Sequence, residues 1–257
     1  MALMRRGRIK RNIENNTYDT ANKILGVVLT QYKRNNLEKQ LKAIKNQTLQ
    51  PSFLIVFQNE NHVNIDCLKE KYNFIHVKSD YNTKFFGRFA YFFTLPVDIC
   101  IVMDDDIIPA KKCFEKYVSD CIKFNAIMGG NARCGFLNPN KDRLNKKNKG
   151  SVVRNRLKAD FVGHLWCFKR LWLHNMFTIP PYTYDTGEDM HLCFSCKVLE
   201  NIDSYLCEHS NRDEIEDMED SKLARDEHAS YKTTSQELRK NVEKYFIDNY
   251  NLEMVKD

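Results

Sequence analysis

The chain has no apolar run long enough to span a membrane, and no apolar stretch follows its basic start, Met1 to Lys10. A protein without a membrane span or signal peptide is expected, soluble and in the cytoplasm. No internal repeat occurs, which sets aside solenoids and propellers. No GxGxxG follows the first apolar segment and no Walker A lysine motif is present, so dinucleotide and P-loop phosphate binding lack support. Charge of one sign is scarce: 40 Lys plus Arg stand against 34 Asp plus Glu, a formal +6. That excess favours anionic ligands but does not call for nucleic acid. The 9 cysteines are odd in number and scattered, and Cys193-Phe194-Ser195-Cys196 has no second CxxC pair. Buried thiols in a reducing compartment are expected, without a disulfide framework or a zinc site.

What is present is enough for one large α/β domain: 257 residues, 42% hydrophobic and 29% charged. Lys23 to Thr30 reads as a first strand, followed by a helix with Leu37, Leu41 and Ile44 on one face. Phe53 to Phe57 and Phe74 to Val77 read as strands. Gly87 to Thr94 reads as helical, with Phe89, Phe92 and Phe93 turned inward. A strand at Ile99 to Met103 and a helix from Lys111 to about Asn125 follow, then strands at Ala126 to Gly130 and Asp160 to Phe168. The alternation implies a mostly parallel sheet with right-handed crossovers, flanked by helices. Expected boundaries are a loose basic extension over 1–22, the α/β domain over 23–210, and a helical segment over 211–257 that packs on it.

The stretch that organises the chain is the apolar run Ile99 to Met103, which ends in Asp104, Asp105 and Asp106. Acids at the carboxyl end of a central strand lie where open α/β sheets bind ligands. Carboxylates about 5 Å apart repel by roughly 3 kcal/mol per pair at an effective dielectric near 20, so this cluster calls for water, protons or a cation. One reading is a solvated cap of the next helix; the other is a divalent-metal site, since Mg²⁺ and Mn²⁺ take carboxylate and phosphate oxygen.

Three later stretches carry similar pairs of readings. Lys141 to Lys158 holds Lys141, Arg143, Lys146, Lys147, Lys149, Arg154, Arg156 and Lys158 against Asp142, and is either a solvated loop or a basic lid. Gly163-His164 interrupts an apolar strand, either as core packing or as a close approach to a ligand. Gly187-Glu188-Asp189 opens a helix with inward Met190, Cys193, Phe194 and Leu199; Asp185 or Thr186 is the expected N-cap. The acidic run Asp213 to Asp220 reads as a solvated helix face.

Taken in order, these pieces resemble the GT-A glycosyltransferases, and closely their inverting family 2 branch, from about Ile24 to His209. The resemblance rests on Asn82-x-Lys84-Phe85-x-Gly87-Arg88-Phe89, Val102-Met103-Asp104-Asp105-Asp106-x-Ile108-Pro109, Phe161-Val162-Gly163-His164-x-Trp166-x-Phe168 and Gly187-Glu188-Asp189-Met190-His191-Leu192. It implies a Rossmann-like GT-A fold and transfer of a sugar, with Mn²⁺ or Mg²⁺, from a nucleoside-diphosphate sugar, UDP by preference, to a hydroxyl of a glycan or other acceptor. It implies that the Asp triplet is a DxD motif, with Asp104 and Asp105 at the donor and Asp106 and Asp104 at the metal, joined there by His209. Thr30, Gln31, Tyr32, Arg34, Gln58, Asn59, Lys84 and Arg88 match nucleotide and donor positions. Gly163 and His164 match the strand facing the transferred sugar. Asp189 matches the catalytic base and Glu188 a contact to sugar or acceptor.

Other classes are weaker. A sugar nucleotidyltransferase usually has a Gly-rich loop after its first strand, and Thr30-Gln31-Tyr32-Lys33-Arg34 has none. A non-catalytic nucleotide-sugar-binding module would have no need of Glu188 and Asp189. A nucleic-acid binder would carry more charge and exposed aromatics.

Overall fold

The structure, a computed structural model, describes residues 22–60, 62–138, 151–219, 223–227, 229, 232 and 235–256. The expected extension over 1–22 and most of the basic stretch, 141–150, lie outside the described residues.

In chain order the elements are β1 (Leu25–Gln31), α1 (Leu37–Lys45), β2 (Phe53–Asn59), α2 (Asp66–Tyr72), β3 (Ile75–Ser79), α3 (Gly87–Ala90), β4 (Ile99–Met103), α4 (Cys113–Phe124), β5 (Ile127–Arg133), β6 (Leu157–Ala159), β7 (Phe161–Lys169), α5 (Leu173–Thr178), α6 (Glu188–Glu200), β8 (Ser204–Leu206) and α7 (Gln236–Tyr250). They build one eight-stranded sheet in the order β3-β2-β1-β4-β7-β5-β8-β6. The strands β1 to β4 are parallel to one another. β7 is antiparallel to both β4 and β5, while β8 runs parallel to β5 and β6 antiparallel to β8. The expected mixed α/β architecture, mostly parallel and flanked by helices, is what the chain adopts.

β4 is buried at all five residues because both of its faces are covered, which is why it reads as an unbroken apolar run. α1 buries Leu37, Leu41 and Ile44, as their spacing predicts, together with Gln40. α2 buries no residue, so it left no periodic signal in the sequence. Phe89 of α3 and Phe92 of the 3-10 turn after it are fully buried against Phe168.

Three expectations are corrected. Phe93 is 47% exposed and Leu199 43% exposed, because the segment after α3 tightens into a 3-10 turn and α6 ends at the surface. The acidic run is not a solvated helix face: Glu216 and Asp217 are buried. Glu216 accepts a hydrogen bond from the Tyr117 hydroxyl, and Asp217 accepts from the Ile108 amide at 3.4 Å, so the run straps the chain leaving β4 onto α4. The cations at the described end of the basic stretch are engaged locally. The Arg156 guanidinium stacks 3.3 Å from the Phe124 ring centroid, and Lys158 pairs with Asp203 at 2.8 Å.

All nine cysteines are free thiols, and all but Cys67 are buried. No helix among the described residues is long and apolar enough to cross a membrane.

Candidate active site

The carboxyl end of β4 is fixed by its neighbours. The Asp104 amide donates to the His164 carbonyl at 2.9 Å, which ties the acids to β7. Gln40, from α1, donates to the carbonyls of Asp104 (2.8 Å) and Ile107 (3.0 Å), and Asn36 donates to the Asp105 carbonyl (3.1 Å). Gln40 sits inside the apolar stripe of α1. A polar residue at a core position was the one sequence signal for this role.

Arg88 is the pivot of the site. Its side chain is only 4% exposed, a place arginine occupies when it is paired. Nη1 donates to Asp104 Oδ1 at 2.6 Å and to Thr30 Oγ1 at 3.4 Å, and Nη2 donates to Glu188 Oε1 at 3.0 Å. The guanidinium also lies 4.9 Å from the Trp166 ring centroid. Burial works against its charge, but Asp104 and Glu188 outweigh that and hold its pKa up. On the other side of this bridge, burial and the charge of Asp189 push the Glu188 carboxyl up to about 7, against the pull of Arg88.

Arg34, in the loop after β1, pairs with the other two acids. Its Nη1 bonds Asp105 and lies 3.4 Å from Asp106 Oδ2. Its Nε and Nη2 donate to the two oxygens of Asp226, at 2.5 and 2.7 Å. Asp226 comes from the C-terminal segment, and nothing in the sequence pointed to it. Burial raises the Asp105 pKa while Arg34 opposes the shift.

The nucleotide-side candidates form a polar network over the ends of β1 and β2. Gln58 donates to Gln31 Oε1 and to the Val63 carbonyl, both at 3.0 Å, and its own oxygen faces His76 Nε2 at 2.8 Å. Asn59 donates to Asn82 Oδ1 (3.0 Å) and to the Lys84 carbonyl (3.1 Å). Both amides therefore use their N–H groups inside the protein, and Asn59 shapes the turn that carries Lys84 at φ +51°. Asn82 closes the network by donating to the Tyr32 hydroxyl at 3.2 Å. Lys84 itself is exposed, with Asp185 at 3.9 Å.

Gly163, His164 and Asp189 border the opposite side. Gly187, at φ +80°, is the residue that starts α6, not Asp185 or Thr186, and no side chain caps the helix. That left-handed residue turns the chain so that Glu188 and Asp189 begin the first helical turn. A Cβ on Gly163 would lie 4.0 Å from Asp189 Oδ2 and 3.8 Å from Trp166 Cζ2. Gly163 thus lies beside both the Trp166 edge and the Asp189 carboxylate, each at ordinary van der Waals distance from where a Cβ would stand. His164 has φ +67° beside a register shift in the β5–β7 pair, with Nε2 3.4 Å from Asn131 Nδ2.

His209 is placed elsewhere. It is buried beside Tyr117, whose hydroxyl is 3.4 Å from Nε2, and its amide donates to the Val153 carbonyl at 2.7 Å. Burial depresses its pKa to about 4. Among the described residues no three His, Cys, Asp or Glu side chains come together as metal ligands, so His209 does not join Asp104 and Asp106 in such a set.

Solved structures that share this architecture include glycosyltransferases. The mannosyltransferase PcManGT from Pyrobaculum calidifontis, in complex with GDP-Man and Mn²⁺, superposes with a TM-score of 0.54 at 14% identity, over 74% of this chain and 56% of that one. TarS from S. aureus superposes with a TM-score of 0.53 at 11% identity, over 73% of this chain and 37% of that one. Its 1–349 fragment gives the same TM-score of 0.53, over 72% of this chain and 60% of that one. The chain has a glycosyltransferase fold. It spans between 37% and 60% of the length of these neighbours. No protein-family model and no curated protein matches the chain.

Proposed function

We propose that the protein is a glycosyltransferase that moves a sugar from a nucleoside-diphosphate sugar to a hydroxyl of a glycan or other acceptor, with inversion. The observation that supports this most is the pairing of Asp104 with Glu188 through buried Arg88, which ties the Asp104–Asp106 loop to the start of α6, where Asp189 follows Glu188. A donor whose diphosphate lies at that loop would present its sugar toward Gly163, whose missing side chain leaves room beside the Asp189 carboxylate.

In this reading Asp189 accepts the proton of the acceptor hydroxyl as its oxygen attacks the anomeric carbon from the side opposite the diphosphate, a contribution of roughly 10²–10⁴ in rate. Glu188, held by Arg88, orients the sugar or acceptor. Arg88 and Arg34 face the departing diphosphate with fixed positive charge. The chemistry of the Asp104–Asp106 loop is compatible with a divalent cation: Asp104 and Asp106 carry hard oxygen donors, in a loop whose acids already draw the Arg34 guanidinium. Asp104 and Asp106 would hold Mn²⁺ or Mg²⁺, and such an ion, when bound, stabilises the leaving diphosphate. UDP is the first nucleotide to test, with GDP beside it because the mannosyltransferase neighbour is in complex with GDP-Man.

The test is a panel of UDP- and GDP-sugars, scored for donor hydrolysis with Mn²⁺ and for transfer. Asp189→Asn keeps the size but cannot take the proton. It should leave UDP affinity unchanged and lower kcat by about 10²-fold or more. Full turnover by Asp189→Asn with a dead Glu188→Gln would move the base to Glu188. Full turnover by both would refute the mechanism. A protein that binds nucleotide sugar but neither hydrolyses nor transfers it would be a binding module.

A further inference from the structure

Two arginines that the mechanism does not use lie near the Glu188–Asp189 pair, Arg133 toward Asp189 and Arg239 toward Glu188. Arg133 ends β5. Asn131 lies opposite Gly163 in the antiparallel β5–β7 pair, and Arg133, two residues on, lies on the same face. That is the face on which Asp189 Oδ2 approaches Gly163. Arg239 comes from α7. A Cβ on Gly187 would meet Val242 Cγ2 at 3.2 Å, so α7 is seated on the start of α6, and Arg239 lies one turn before Val242 on the same side of the helix. Glu243 pins α7 there by accepting from the Phe136 amide at 2.6 Å and the Leu137 amide at 3.0 Å, in the chain that leaves β5.

The two guanidiniums share one neighbourhood. Surrounding protein lowers the Arg133 pKa although the side chain reaches solvent; Asp189 favours its charge and Arg239 opposes it. Neither guanidinium makes an ion pair or hydrogen bond among the described residues. Arg88 is already engaged by Asp104 and Glu188, so it does not compete with Arg133 and Arg239 for a further anion. Two arginines that repel each other and have no ion pair among the described residues are a poor device for stability and a good one for an anion, because each offers a planar fork of donors.

We propose that Arg133 and Arg239 bind an anionic group of the acceptor, a phosphate or a carboxylate carried close to the hydroxyl that receives the sugar. This rests on the reading of Asp189 as the base. The crevice would then choose an acidic acceptor by charge, and hold its hydroxyl over Asp189 from the side away from the donor.

The test uses the full chain saturated with UDP and Mg²⁺, so that the donor phosphate site is filled, and titrates methyl phosphate by phosphorus NMR. Wild type should bind it. Arg133→Gln and Arg239→Gln should each weaken binding, and the double variant should weaken it by about tenfold or more. UDP affinity, measured on the same samples by calorimetry, should not change. Equal methyl phosphate affinity in wild type and double variant, or no binding by wild type, overturns the proposal. Acetate as competitor assigns the class: displacement at similar concentration supports a carboxylate-accepting site, and failure to displace supports a phosphate site. If wild type binds neither UDP nor GDP, the glycosyltransferase reading itself fails. A wild type that binds nucleotide while the arginine variants keep methyl phosphate affinity refutes only this inference.

Discussion

Removing the Arg88 guanidinium tests the centre of the site most directly. Arg88→Met keeps a long apolar side chain against Phe89 and Trp166 but leaves Asp104 and Glu188 without the cation that lies 2.6 and 3.0 Å from them. Breaking a buried pair from one side costs about 3–5 kcal/mol. For a domain of this size each kcal/mol lowers Tm by about 2–4 °C, so the variant should melt roughly 6–20 °C below wild type. The loss should also depend on pH. Glu188 has its folded pKa raised from 4.5 to about 7, so the folded state holds the extra proton between those values and loses stability as pH rises through that window. Without Arg88 the carboxyl loses the charge that favours its ionised form, and its pKa moves higher still. Stability then goes on falling above pH 7. The deficit against wild type is therefore smallest near pH 5 and largest near pH 8.

Urea unfolding at pH 5, 6.5 and 8 measures this, with m checked for constancy. Glu188→Gln in the Arg88→Met background removes the acid that needed the partner, and should recover part of the loss at pH 8 and little at pH 5. Arg88→Lys should fall between wild type and Met, since an ammonium on a single stem does not fork to two acids. A deficit under about 1 kcal/mol, or one equal at pH 5 and pH 8, would show that the bridge is not an electrostatic clamp.

Glu243 is the second acid raised to about 7, by burial that outweighs the two amides it accepts from. Wild type should therefore lose stability between about pH 4.5 and 7, and Glu243→Gln should flatten that slope in urea unfolding; an unchanged slope would refute the assignment. Asp226→Asn frees Arg34 from a competitor, and should tighten UDP binding with Mn²⁺ by about 2–5-fold in calorimetry, the worth of a partly exposed ion pair. Weaker binding would mean that Asp226 organises Arg34 for the ligand. Gly187→Ala places a Cβ at φ +80° and 3.2 Å from Val242 Cγ2, so it should cost at least about 1–2 kcal/mol in thermal or urea unfolding; a neutral outcome would remove Gly187 as the hinge of α6.

The sequence made the fold legible where burial is one-sided or complete. β4 announced itself because every residue is buried, and α1 because its buried positions recur at helical spacing. α2, with nothing buried, and the three-residue strands β6 and β8 have no such pattern to show. In the candidate site, Asp104 to Asp106 and Glu188-Asp189 stood out because charge next to apolar runs is costly and asks for a reason, whereas Arg88 was singled out by the family resemblance. Arg133, Asp226 and Arg239 were not, since each sits in ordinary polar surroundings along the chain. Only the fold brings them to the crevice, across sequence separations that local spacing cannot encode. Gln58 and Asn59 were legible as polar strand ends, yet their donors turn inward to brace the loops.

The single antiparallel strand beside β4 explains why so short a set of motifs suffices. Met103 pairs with Leu165, and Ile99 with Lys169, so the start of β7 lies at the carboxyl end of β4. Gly163 and His164 therefore project just beyond the last paired residue, over the acids, and the Asp104 amide closes onto the His164 carbonyl. A parallel strand in that slot would bring its far end there and carry Gly163 away from the crevice. The reversal has a cost, because His164 must take a left-handed backbone where β7 also shifts register against β5. For a non-glycine residue that conformation is disfavoured by about 1–2 kcal/mol. It is the kind of strain that persists at functional sites when the surrounding pairings over-determine it, and here β4 and β5 do so from both sides. Gly163 is then a position where an added Cβ would lie 3.8 Å from Trp166 Cζ2 and 4.0 Å from Asp189 Oδ2, and glycine keeps a side chain from packing against both.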